Sequence, residues 1–252
     1  MIITPSILEK KPEDITTQIL KLVPYYPIFQ IDFADGIDVP NTTLKPEEFE
    51  QVIKKLDKSI LNKIQFEFHL MVKDFESTIK IISAFKNKIN IRDILIHASY
   101  LPNISILNTK YQIPFGLVLY PEDPISLITN HYTPDAQSIN QGSGSRTSYI
   151  KSERRDLNPI PYIQIMSCTV GFQGSPFLPE SLNKIEQLRN ANYKNIISLD
   201  GAINDKTLPI IITQQFKPDI VCPGSFLCKA KDLKKNVEFL QNIKHLRKEQ
   251  AN

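Results

Sequence analysis

Glycine is scarce in this chain: 8 of 252 residues, about 3% against a usual share near 7%. A sequence that avoids glycine keeps it where backbone geometry or a close ligand demands it, so each remaining glycine carries information. Cysteine is also scarce. Cys168, Cys222 and Cys228 show no Cys-x-x-Cys spacing, which reads as reduced thiols rather than a disulfide framework or a structural metal site. A dominant charge is missing too, with 30 basic and 27 acidic side chains. An excess of that size, scattered along the chain, gives no nucleic-acid footprint. Nowhere do 18 apolar residues follow one another, and Met1 to Ser6 contain no basic leader before an apolar stretch. A soluble cytoplasmic protein with no membrane or nucleic-acid partner is the expectation.

What is present has the balance of a globular chain, 41% hydrophobic and 23% charged, enough to bury a sizeable core. Short apolar runs rich in β-formers recur at residues 2–7, 28–33, 64–70, 94–96, 115–119, 162–166, 196–199 and 219–222. Most lack a polar alternate, as parallel strands covered on both faces do; Gln65-Phe66-Glu67-Phe68 is the run that alternates. Helical patterns lie between them at 12–23, 46–56, 75–85, 179–189, 206–215 and 233–247. Pro12, Pro46 and Pro179 suit first helical turns. Eight alternating units predict one (β/α)₈ barrel domain over residues 1–252, with an open doubly wound sheet as the structural competitor.

The pattern fails at residues 129–158, about thirty polar, turn-rich residues that include Gln141-Gly142-Ser143-Gly144-Ser145. A structureless loop of that length inside a compact domain is uncommon. It reads as a mobile insertion between the fifth and sixth units, with an active-site lid as the functional alternative that Arg154-Arg155 favours.

Barrels of this kind place their chemistry at the C-terminal ends of the strands. Asp32 ends the second run, His69 the third and Asp200 the seventh, while Ser6 lies near the end of the first. Any one aspartate is accounted for as a cap. Two aspartates and a histidine at one mouth have the ligand types of a divalent metal site. Gly36, Gly171, Gly174, Gly201 and Gly224 all follow strand ends, and Gly116 alone stays within a strand. Exposed amides above the last three strands make the phosphate cradle usual in this fold. His97 is left between substrate contact and packing, and His131 and His245 read as surface residues.

These residues fall into a known order. Thr4-Pro5-Ser6-Ile7-Leu8, Ile31-Asp32-Phe33-Ala34-Asp35-Gly36 with Val39-Pro40-Asn41, His69-Leu70-Met71-Val72, Gly116-Leu117-Val118-Leu119, Ile165-Met166-Ser167 with Gly171-Phe172 and Gly174, Asp200-Gly201-Ala202-Ile203-Asn204 and Gly224-Ser225 together resemble the ribulose-phosphate 3-epimerase family. The resemblance spans nearly the whole chain outside the insertion. It implies a metal-dependent isomerase that interconverts D-ribulose 5-phosphate and D-xylulose 5-phosphate through an enediolate, with Asp32 and Asp200 as acid and base on opposite faces.

The resemblance further implies one divalent ion (Zn, Fe, Mn or Co) on Asp32, His69, Asp200 and Gln30. Ser6, His69, Met71 and Met166 would line the substrate pocket, together with Gly171, Phe172, Gln173 and Gly174. Amides around Gly174, Gly201, Ala202, Gly224 and Ser225 would hold the phosphate, and a homo-oligomer is implied as well. This chain departs from the family pattern at Gln30, where a histidine ligand is usual, at Ala34 for a methionine, at Val170 for a proline and at Gln173 and Ala202 for glycines. An epimerase or synthase for a hexulose 6-phosphate, or a barrel that binds a phosphosugar without catalysis, are the competing functions.

Overall fold

The computed structural model describes residues 1–132, 160–172 and 174–249. Its strands are β1 (Ile2–Ile3), β2 (Ser6–Ile7), β3 (Ile28–Ala34), β4 (Gln65–Met71), β5 (Asn90–His97), β6 (Phe115–Leu119), β7 (Tyr162–Met166), β8 (Ile196–Asp200) and β9 (Ile220–Cys222). Every pairing is parallel. The order runs β1-β9-β8-β7-β6-β5-β4-β3-β2, so the first predicted run is one stave that closes the sheet on itself. Its halves part at Thr4-Pro5, where Pro5 has no N–H to give. There the Thr4 amide donates to the Val221 carbonyl at 3.0 Å, and the Gln30 amide donates to the Pro5 carbonyl at 2.9 Å.

The helices are α1 (Pro12–Leu22), α2 (Phe49–Lys55), α3 (Lys58–Leu61), α4 (Phe75–Ser83), α5 (Ile104–Tyr111), α6 (Ser126–His131), α7 (Leu182–Asn190), α8 (Leu208–Thr213), α9 (Ser225–Cys228) and α10 (Leu233–Glu249). The fold class is the one predicted, a parallel barrel alternating with helices. Among the described residues, no helix is long and apolar enough to cross a membrane.

Strand residues alternate between a shell under the helices and the barrel lumen. The shell is apolar: Phe29, Ile31 and Phe33 of β3 and Phe66, Phe68 and Leu70 of β4 belong to the main hydrophobic cluster. Phe33 stacks on Phe68 with centroids 5.7 Å apart, and Phe49 of α2 meets both edge-on at 6.2 and 5.3 Å. Each such ring pair is worth about 0.5–1.5 kcal/mol beyond its burial. With that face pinned, the residues between, Asp32 on β3 and His69 on β4, are turned into the lumen as direct register partners.

The lumen itself is unusually polar. Gln30, Glu67, His69, Asp93, His97, Gln164, Ser198 and Asp200 are all buried. The polar alternate at Glu67, which in sequence looks like a solvated position, thus faces the inside of the barrel. Arg92 and Asp93 extend β5 back to Asn90 for the same reason, well before the apolar run at residues 94–96.

Two helices, α5 and α6, carry no clear sequence signal. In α5 only Ile104 is fully buried, and in α6 only Ile128. Residues 129–131, expected to open the insertion, still belong to α6. Tyr132 follows as the buried C-cap of that helix, and residues 133–158 lie outside the described residues.

Candidate active site

A cleft opens at the C-terminal ends of the strands. Its floor holds Ser6, Asp32, His69 and Asp200, its sides Met71 and Met166, and its rim Gly171, Phe172, Gly174, Gly201, Ala202, Gly224 and Ser225. Thirteen of the residues predicted for the site thus line one cavity. Gln30 lies beneath the floor, and Gln173 falls outside the described residues. Phe172 and Gly174 are the cleft's exposed members, Phe172 at 50% of its surface. Leu8, Cys168, Val170, Ile203 and Cys222 also line the cleft; the sequence gives none of them a role in the site.

Asp32, His69 and Asp200 are buried, and one ligand atom from each lies within 4.8 Å of the others. His69 Nδ1 is 3.2 Å from an Asp32 carboxylate oxygen and 3.9 Å from one of Asp200. Gln30 joins the group through its amide nitrogen, which donates to Asp32 Oδ1 at 2.8 Å and to Asp200 Oδ2 at 2.6 Å. Gln164 Nε2 gives Asp200 a further, longer bond of 3.3 Å. Burial, and then the charge of Asp32, push the Asp200 carboxyl up from its ordinary range, against the pull of His69 and Gln30. A carboxyl poised in that way exchanges protons near neutral pH.

His97, from the end of β5, lies behind His69 with its Nε2 3.0 Å from His69 Nε2. Tyr120 stacks on its other side, with centroids 3.8 Å apart and planes 18° off parallel. Burial, and then His69, hold His97 well below the usual imidazole range, so it is neutral. The Tyr120 hydroxyl and that of Tyr100 both donate to Asp38, a clasp between the loop after β3 and the ends of β5 and β6. Asn41 of the same loop donates to the Gly171 carbonyl at 2.5 Å, tying it to the loop after β7.

At the rim the backbone bends as a cradle must. Gly171, Gly174 and Gly201 have φ of 94°, 92° and 114°, and Ala202 follows at 54°. A Cβ on Gly201 would meet Cys168 Sγ at 2.5 Å and the Cys168 nitrogen at 2.9 Å, so space as well as conformation requires glycine there. The Cys168 thiol beside it is pushed up to about 12 by burial and by the two aspartates; it stays protonated and has no role as a nucleophile. Cys222 and Cys228 are likewise buried and unpaired.

The donor set offers the ligand types that a divalent cation takes. Two carboxylates and an imidazole nitrogen converge within the span one ion bridges, and the buried Oε1 of Gln30 has no hydrogen-bond partner in the described structure.

Residues 2–134 and 147–226 match the model described as "Ribulose-phosphate 3 epimerase family". A ribulose-phosphate 3-epimerase of Helicobacter pylori is 28% identical over 218 residues, 85% of each chain, and that of a second strain is 26% identical over the same span. Among solved structures, KGPDC from Streptococcus mutans in complex with D-R5P superposes with a TM-score of 0.65 at 11% identity, covering 96% of this chain and 97% of that one. The 3-hexulose-6-phosphate synthase from Salmonella typhimurium does so with a TM-score of 0.61 at 10% identity, covering 95% and 96%. At such identities these two structures speak to the fold alone.

Proposed function

The chain belongs to the ribulose-phosphate 3-epimerase family, and from that premise we propose that it interconverts D-ribulose 5-phosphate and D-xylulose 5-phosphate by moving a proton at C3. The observation that carries this reading is the meeting of Asp32 and Asp200, from staves separated by two others, beside His69 at the floor of one cleft.

Inverting a carbon next to a ketone needs a base on one face, an acid on the other and stabilisation of the enediolate between them. Asp200, with its raised carboxyl, holds or takes the proton on one side. Asp32 serves the other side, and the two exchange duties with reaction direction. Asp32, Asp200, His69 and Gln30 are the residues that would hold a divalent ion, which when bound supplies Lewis-acid stabilisation of negative charge on the substrate oxygens.

Ser6 offers a hydroxyl to those oxygens, and Met71 and Met166 give the enediolate apolar walls. Backbone amides about Gly174, Gly201, Ala202, Gly224 and Ser225 are suited to the phosphate. A single barrel domain with a segment inserted after α6, a homo-oligomer and a cytoplasmic location are part of the same proposal.

The test is wash-in of solvent deuterium at C3 of D-ribulose 5-phosphate, with Zn²⁺, Fe²⁺, Mn²⁺ or Co²⁺ added in turn. Ion-stimulated exchange with xylulose 5-phosphate as product, lost in both Asp32→Asn and Asp200→Asn, is the expected result. Turnover of a hexulose 6-phosphate alone would transfer the activity to a six-carbon substrate. Binding of the phosphate ester without exchange under any ion would leave a phosphosugar-binding barrel and overturn the enzyme.

A further inference from the structure

Gln30 precedes Asp32 by two positions on β3, so both side chains enter the lumen, and Gln30 is fully buried there. Its Nε2 lies within hydrogen-bond distance of one oxygen from each aspartate. The nitrogen end belongs there because it brings a proton to each of the two carboxylate oxygens, whereas an oxygen in that place could be met only by a proton on one aspartate. The other end, Oε1, is buried without a hydrogen-bond partner among the described residues. An unpaired buried oxygen costs about 1–3 kcal/mol. The amide therefore sits with one end doubly satisfied by negative charge and the other end stranded.

We propose that Gln30 is a two-position side chain that sets which divalent ion the site prefers. Without an ion, its NH₂ bridges Asp32 and Asp200 and offsets the repulsion between them. A cation in the cluster is incompatible with that arrangement, since it repels N–H donors. A half turn about the terminal torsion, which is broad and two-fold in glutamine, exchanges Oε1 for Nε2 without moving the backbone. The stranded oxygen then becomes a donor.

The set this produces is two carboxylates, one imidazole nitrogen and one amide oxygen. Imidazole suits Zn²⁺, whereas carbonyl and carboxylate oxygens suit Mn²⁺ and Mg²⁺. With glutamine rather than histidine at position 30, the balance moves from Zn²⁺ toward Mn²⁺. The inference rests on the ion-binding reading of Asp32, His69 and Asp200, and adds to it a selectivity and an ion-free state.

Chelator-treated wild-type protein and Gln30→His are titrated calorimetrically with MnCl₂ and with ZnCl₂. The ratio of Zn²⁺ to Mn²⁺ affinity rises about tenfold or more in Gln30→His. A second measurement needs no variant: in ¹⁵N-labelled wild-type protein, the Gln30 NH₂ proton resonances move upfield when diamagnetic Zn²⁺ binds, as the charge-assisted bonds to the aspartates break. An unchanged ratio in proteins that bind both ions, or NH₂ resonances unmoved by bound Zn²⁺, overturns this proposal alone. Failure of wild-type protein to bind either ion overturns the ion reading beneath it, and the ion-bound position of Gln30 with it.

Discussion

The Nε2 atoms of His69 and His97 lie 3.0 Å apart, so one ring must give the other its proton. His69 turns Nδ1 toward Asp32 and Asp200. For that nitrogen to offer a lone pair to a cation, the ring proton must sit on Nε2 and be donated to His97. His97 is neutral and buried, and accepts it. His97 is thus a positioning residue that selects the His69 tautomer, and Tyr120 holds it flat.

Replacing His97 removes that choice. His97→Leu weakens ion binding by roughly 10–100-fold, the usual size of such an effect, while His97→Gln, which keeps an acceptor, recovers much of the loss. Calorimetric ion titration reads the affinity, and side-chain ¹⁵N spectra of His69 read the tautomer. Equal affinities in wild type and His97→Leu would remove the role.

Gly201 and Ala202 make opposite predictions from adjacent positions. Gly201→Ala drives a Cβ against the Cys168 backbone and destabilises the fold by more than about 2 kcal/mol. Ala202 holds φ of 54°, a conformation that costs a residue with a Cβ about 1–2 kcal/mol. Ala202→Gly relieves it, and after the greater flexibility of unfolded glycine is subtracted, gains up to about 1 kcal/mol. Urea midpoints decide both.

Glu67 makes stability depend on pH. Burial pushes its carboxyl up to about 8, against Arg92 and Tyr162 and with help from Asp93 and Asp200. The folded protein then keeps a proton that the unfolded chain releases above about 4.5, so stability falls as pH rises through that window. Glu67→Gln lacks this slope. Its advantage over wild type, absent at pH 4, grows to the order of a few kcal/mol above pH 8. Denaturation curves at several pH values showing parallel behaviour would contradict this.

Asn41 ties two loops over the cleft through its bond to the Gly171 carbonyl. A hydrogen bond of this kind contributes about 0.5–1.5 kcal/mol. Asn41→Ala therefore raises KM for the sugar phosphate about 3–10-fold and lowers the melting temperature by about 1–5 °C. A fall in kcat at constant KM would instead place Asn41 in the chemical step.

The sequence shows most of the barrel because buried parallel strands are written as apolar runs, and Asp32, His69 and Asp200 stand out as polar ends to those runs. Arg92, Asp93 and Glu67 were harder to place. A charged residue inside a small barrel looks in sequence like a solvated one, and only the register that brings Arg92 Nε within 2.9 Å of Asp93 and its Nη1 within 3.9 Å of Glu67 explains their burial. Helix α5 has one buried residue, Ile104, and so leaves no periodic stripe in the sequence. The pairing of His69 with His97 depends on two strands lying side by side, and the Asp38 clasp on three segments far apart in the chain. No local pattern encodes either.

The apolar shell and the polar lumen share the same strands and differ only in parity. On β3, positions 29, 31 and 33 hold the barrel to its helices, while 30 and 32 meet in the interior. Inheritance at these sites is therefore partitioned: a change at one parity is judged by folding, and a change one residue away is judged by chemistry. A library of variants restricted to lumen positions explores new ions and substrates on a conserved scaffold, while one restricted to shell positions explores thermal tolerance with the reaction held fixed.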